Sequence, residues 1–229
     1  CNTLVTAPCC ANVKIATFTG PGSFTVNTIS TTPAENTIGY MVVAGGGGGF
    51  LGAGGGGGFR EGRNVPIDNF TASPLVANAP TNAVIVTATS YPITIGGGGA
   101  SNTSNGGNSV FSTITSTGGG RGADYQGTGN SGGSGGGGGR DVSSTSVGNS
   151  PPVSPAQGQN GGGGVSSGPN SDYIGAGGGG GAGANGNPGT GNSLAVNEQG
   201  GAGGNGVANS ITGSSVTRAG GGGGFTQGP

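Results

Sequence analysis

Arg121-Gly-Ala-Asp-Tyr-Gln126 places a cation, a carboxylate, a phenol ring and an amide within one short stretch. That palette suits recognition of a saccharide, the ring stacking on a sugar face and the polar groups meeting its hydroxyls. The plainer alternative is a turn in which Arg121 and Asp124 merely pair. Arg140 and Asp141 open the longest glycine-poor excursion of the second half, which runs to Asn160 through Pro151-Pro152 and Pro155. This segment is either a displayed loop or a strap packed over the molecule. Taken alone, 141–160 also reads as low-complexity disorder. Ser171-Asp172-Tyr173-Ile174 and Asn197-Glu-Gln199 offer weaker sets of the same kind. The candidate receptor-binding residues are therefore Arg121, Asp124, Tyr125, Gln126, Arg140, Asp141, Asp172 and Tyr173.

Catalysis has little raw material. Histidine is absent, and the seven carboxylates are scattered apart from Glu61 and Asp141, which each adjoin an arginine. Triads, paired catalytic carboxylates and His-based metal sites are not expected, and the chain reads as non-enzymatic, with no cofactor and no metal. Six Lys plus Arg against seven Asp plus Glu give a net charge of −1, so no basic patch exists for nucleic acid. No apolar run approaches the roughly 20 residues that a bilayer-spanning helix needs. The chain opens at Cys1 without a methionine or signal sequence and reads as a processed protein or a fragment. Cys1, Cys9 and Cys10 fall in the first ten residues, where free or interchain-bonded thiols are the favoured reading. A three-thiolate metal site lacks a fourth ligand, and the adjacent Cys9 and Cys10 are poorly placed to bond each other.

The elements that must position these side chains follow from composition. Val13–Thr19 and Ser23–Thr28 alternate around Gly20-Pro-Gly22 as a hairpin would. Ile38–Ala44, Ala83–Ala88 and Tyr91–Ile95 read as further strands. Unbroken glycine runs recur at 45–49, 54–58, 96–99, 135–139, 161–164, 177–181 and 220–224. Residues 96–229 carry 48 of the 63 glycines and only isolated apolar side chains. A flexible linker has no reason to hold run length nearly constant or to follow three runs with Phe50, Phe59 and Phe225. Polyglycine-II geometry gives the runs a structural role: three residues per turn, no internal hydrogen bonds, and N–H and C=O groups turned toward neighbours. Unbroken runs then suit the interior, where any Cβ would block one face. Phe50, Phe59 and Phe225 are expected as anchors closing the ends of the bundle. The sequons at Asn69 and Asn102 decide nothing.

Five stretches in order carry a resemblance: Thr17-Phe-Thr-Gly-Pro-Gly-Ser-Phe-Thr-Val26, Tyr40-Met-Val-Val-Ala-Gly-Gly-Gly-Gly-Gly49, Tyr91-Pro-Ile-Thr-Ile-Gly-Gly-Gly-Gly99, Asn105-Gly-Gly-Asn-Ser-Val-Phe111 and Thr115-Ser-Thr-Gly-Gly-Gly-Arg-Gly122. Over about residues 15–125 the chain resembles the glycine-rich domain of viral tail proteins. Residues 126–229 more loosely resemble the distal adhesins of T-even-like phages. There, glycine-rich segments form a layered polyglycine-II bundle and the loops bind the host receptor. The chain departs from those adhesins in its cysteine-bearing start and its aromatic-poor loops.

The expected fold is mainly β or irregular: a small antiparallel β region plus a polyglycine-II bundle with displayed loops and almost no α-helix. The division is 1–14 as a Cys-bearing tail, 15–95 as a β-rich segment with the first two runs, and 96–229 as the bundle. The resemblance implies a virion or tail-fibre surface adhesin, extracellular or on the virion. Its partners would be a host glycan or outer-membrane receptor, other virion or fibre proteins, and copies of itself in a homo-oligomer such as a trimer. Neither nucleic acid nor membrane insertion is expected. The rival is a structural capsid-decoration or filament subunit assembled through the β segment and glycine faces. An ice-binding bundle fits less well, because its glycines would recur every third residue.

Overall fold

The computed structural model describes residues 2–7, 13–77, 83–140, 142–166, 174–191 and 199–227. Cys1, Cys9, Cys10, Asp141, Asp172 and Tyr173 lie outside them.

Tyr40–Val43 is rich in aromatic and β-branched residues and pairs antiparallel with Phe59–Gly62, Val43 lying opposite Phe59. Beyond that pair both strands become glycine, and the hydrogen bonds change period. Ala44 N–H donates to Gly58 O, Gly47 to Gly55 and Phe50 to Gly52, so successive donors are three residues apart. A sheet ladder repeats every two residues, whereas a three-residue repeat belongs to polyglycine II. The same step recurs between runs distant in sequence: Ala53 and Gly56 donate to Gly177 and Gly180, which in turn donate to Gly138 and Gly135.

The glycine-rich segments alternate in direction, so their connections collect at two ends. Turns 50–52, 100–104 and 123–126 lie at one end, the tip. Residues 131–133, 149–157, 182–185 and 207–218 lie at the other, the base, beside the strand pairs. Viewed down the axis the segments form a hexagonal array. Segment 134–139 touches 53–58, 117–123, 127–130, 142–148, 158–164 and 176–181 on its six sides. Segment 176–181 is surrounded likewise by 53–58, 134–139, 158–164, 184–189, 200–206 and 219–225. At such a position every direction ends on another backbone, so glycine is required on all three faces of the helix. Runs 135–139, 161–164 and 177–181 are fully buried, as is nearly all of 54–58. Runs 45–49, 96–99 and 220–224 depart from the expected interior placement. They lie at the edge of the array, partly exposed, where water can serve the N–H and C=O groups that lack a neighbour.

The side-chain core sits at the base. Tyr40, Val42, Ile93 and Phe111 form its centre, with Phe24 meeting Phe111 edge-on at 6.2 Å. The opposite face of Tyr40–Val43 joins a second cluster around Phe59, Ala182 and Val207. Burial is the main influence raising the Tyr40 phenol above its ordinary value; Arg60 opposes the shift and Glu61 adds to it. The described residues contain no α-helix, only the 3-10 turn Pro33–Glu35.

Gly20-Pro21-Gly22 does not close a hairpin. Lys14–Thr17 pairs with Thr3–Thr6, while Gly22–Thr25 pairs with Ser90–Thr94, placing Phe24 opposite Tyr91. The bend therefore passes the chain from one sheet to another, since Phe24 gains the aromatic cluster by leaving its sequence neighbour.

Segment 142–160 packs against the molecule. Residues 142–148 run along the bundle, with the Gly161 and Gly164 N–H groups donating to Ser146 and Val142. Residues 149–157 then strap the base. Asn149 at φ 50° accepts from the N–H groups of Val153 and Gln157. Gln157 is wholly buried, its Oε1 accepting from Thr117 N–H at 2.8 Å and its Nε2 donating to Pro151 O. Gln157→Ala would leave the Thr117 N–H unpaired, and we expect a loss of about 1–3 kcal/mol in urea denaturation. A change below about 0.5 kcal/mol would mean that the strap contributes nothing to stability.

Candidate receptor-binding surface at the tip

Turn 123–126 joins two neighbouring antiparallel segments, 117–123 and 127–130. The next segment returns alongside and ends at Arg140, whose N–H donates to Tyr125 O at 2.8 Å. This register carries the Arg140 guanidinium to 5.7 Å from the centre of the Tyr125 ring, a cation–π contact. Arg140 is buried, whereas Tyr125 is 56% exposed. The cation therefore braces a ring that remains available to solvent.

Arg121 is held from a different side. Its Nη1 donates toward Asn102 O and Oδ1 at 3.5 and 3.4 Å, and it lies 4.0 Å from Asp124 Oδ2. Asn102 adopts φ 56°, the left-handed region that asparagine tolerates better than most residues. The pairing with Asp124 is loose and its carboxylate is 60% exposed, so the turn is not explained by an ion pair alone. Gln126 is exposed beside it. Arg121, Asp124, Tyr125, Gln126 and Arg140 thus share one end of the bundle. A planar ring, a carboxylate and an amide face water there, over two arginines anchored behind them. Among the described residues no group of His, Cys, Asp and Glu is disposed to hold a metal ion.

Nothing in the sequence assigned Asn102, Asn105 and Asn130 a role at the tip. Asn105 Oδ1 accepts from both Arg121 N–H and Asn130 Nδ2 at 2.9 Å, tying three segments together behind the turn. Only the hexagonal register brings these amides together, and no local signal marks them. Phe59 is buried as expected of an end anchor, but Phe50 and Phe225 are 50% and 43% exposed. Leu51, packed on Ala176, closes the tip in their place.

Polyglycine-II segments in a continuous hexagonal array, carrying their connections at the ends, account for most of the described residues beyond 95 together with 44–58. A glycine-rich domain family matches residues 19–229. The chain belongs to that family. No curated protein and no solved structure matches it. The glycine-rich domain thus extends from just before the first aromatic strand to the end of the chain, spanning both the base and the bundle. No helix among its described residues is long and apolar enough to cross a membrane.

Proposed function

We propose that this glycine-rich domain is a non-enzymatic surface adhesin of a virion or tail fibre, which presents its tip to a host glycan or outer-membrane receptor. The observation that supports this reading is the braced, exposed Tyr125 ring, flanked by Asp124 and Gln126 at the end of a rigid frame. Loops on a rigid scaffold carry recognition without disturbing the fold beneath them. An aromatic face with polar neighbours is the chemistry that takes a sugar ring.

The test is adsorption to host cells and to arrayed surface saccharides by the parent and by Tyr125→Ala. We expect binding to fall about tenfold, the equivalent of some 1.4 kcal/mol, with the melting temperature unchanged. Equal binding by both chains would remove the 123–126 turn from the receptor site.

The structural reading, a decoration or filament subunit, draws support from the exposed runs 96–99 and 220–224. Gly97 has nothing within 4 Å of a built Cβ, and Gly98, Gly220 and Gly223 have at least 3.6 Å of clearance. Glycine there serves no packing need within one copy. Sedimentation separates the two readings: a filament or decoration subunit grows into large open-ended assemblies without host material, whereas an adhesin stops at a monomer or a closed oligomer such as a trimer.

A further inference from the structure

Segment 53–58 has neighbours on five sides, in order 44–49, 117–123, 134–139, 176–181 and 219–225. On the sixth side, between 44–49 and 219–224, is a groove of about 560 Å3 lined almost wholly by backbone, with Val43 and Phe50 along its lining. Among the described residues no segment lies there, and the groove continues the hexagonal array as an open sixth position.

The hydrogen-bonding pattern of its walls defines what fits. In 53–58, Ala53 and Gly56 donate to 176–181, and Gly55 and Gly58 donate to 117–123. The threefold repeat turns the remaining pair, Gly54 and Gly57, toward the groove, and their N–H groups find no acceptor among the described residues. In 44–49, the carbonyls of Gly45 and Gly48 accept from Gly119 and Gly122, and those of Gly46 and Gly49 from Gly99 and Asn102. The remaining pair, Ala44 and Gly47, accepts nothing among the described residues and lines the groove. The groove thus presents two donors three residues apart on its floor and two acceptors three residues apart on one wall.

We propose that this groove binds an extended glycine-rich strand of a partner chain, in polyglycine-II conformation with a Gly-Gly-X repeat. The three-residue spacing matches that helix and no β-strand, whose groups repeat every two residues. A proline-rich strand of the same pitch lacks N–H donors for the Ala44 and Gly47 carbonyls. Three backbone walls exclude side chains on the inner faces, so only X, turned to solvent, carries one. A second copy is a poorer occupant. A two-fold parallel to the runs would seat its 219–224 segment here with N–H groups against those of Gly54 and Gly57, donor facing donor. The proposal stands apart from the tip and does not depend on the adhesin reading.

The test is a titration of the 15N-labelled full chain with a lysine-flanked Gly-Gly-Ser repeat peptide, with an Ala-Ala-Ser repeat as control. The expected result is shifted amide signals at Gly54 and Gly57 and amide exchange slowed about tenfold, with the glycine peptide only. Gly222→Leu should abolish the effect. A Cβ there sits 3.4 Å from Ala53 Cβ and 3.5 Å from Gly54 O, so the side chain fills the groove without entering the array. Gly46→Leu, with its nearest atom at 3.5 Å, is the second blocking variant should the first fail to fold. Three outcomes would overturn the proposal: no change at Gly54 and Gly57, an equal response to the alanine control, or dimers of the parent that protect both amides without peptide.

Discussion

Gly137→Ala is expected to cost more than about 4 kcal/mol and to lower the melting temperature by more than about 8 °C. A Cβ on Gly137 would overlap the carbonyl of Gly177 and stand 2.9 Å from the N of Ala53. Both are main-chain atoms, one in a segment surrounded on all six sides and the other in a segment enclosed on five. A flexible side chain can swing away from an added methyl group; a backbone bonded to several neighbours cannot, so the strain spreads through the array. Gly97→Ala is the matched control, because nothing lies within 4 Å of its built Cβ. There the reduced freedom of the unfolded chain should leave stability unchanged or raise it by about 0.4–1 kcal/mol. Thermal unfolding of the two variants side by side checks the array directly. Similar melting temperatures would mean that the interior yields to an extra carbon and that the runs are not close-packed.

The second large effect is expected at the base, where Glu61 is 1% exposed. Its Oε2 accepts from the N–H of Ser73 at 2.9 Å and from the Ser73 hydroxyl, and its Oε1 accepts from Asn209 Nδ2 at 3.0 Å. Asn209 Oδ1 in turn accepts from Arg218 Nη1. One carboxylate thus fastens the 63–77 segment and the 207–218 hairpin to the strand Phe59–Gly62. Glu61→Ala strands several buried donors at once, at a cost of about 3–5 kcal/mol. Glu61→Gln keeps the shape but turns an N–H2 group toward one of the donors and should cost less, about 1–2 kcal/mol. Urea denaturation orders the three chains, and hydrogen exchange should show the 207–218 hairpin loosening first. An alanine variant as stable as the parent would show that the network contributes nothing net.

The β region was largely legible because its signal is local. Tyr40–Val43 and Ser90–Thr94 form within the stretches where aromatic and β-branched residues concentrate. The Gly20-Pro-Gly22 bend misled because its residues specify a change of direction and say nothing about which strand follows alongside. The preference of Phe24 for Tyr91 and Phe111 is a tertiary choice. The helical form of the glycine runs followed from composition, but their places in the array did not. Five glycines at 135–139 and five at 220–224 are the same text, yet one run is enclosed and the other lies at an edge. What separates them is the number of neighbouring segments, which is a property of the whole chain. At the tip, Tyr125 and Asp124 were readable as a palette. Arg140 was readable as a candidate too, but its place behind the Tyr125 ring was not, because a complete antiparallel excursion separates the two residues.

The alternation of segments between base and tip also bears on how this domain can diversify. Each described tip turn joins segments whose lateral bonds are set by the array, so outward-facing side chains such as Asp124, Tyr125 and Gln126 can change with no shift of register beneath them. The turn backbones stay tied to their neighbours, as Tyr125 O is to Arg140 N–H. A base crossing such as 149–157 enjoys no such independence, because Gln157 reaches into the joint between Thr117 and Phe59. Variation should therefore accumulate at the outward-facing positions of the tip turns, while the base stays nearly invariant. A lineage that varies these positions can sample new surfaces without re-evolving a fold, so the hexagonal interior serves as the inheritance that makes the variation safe.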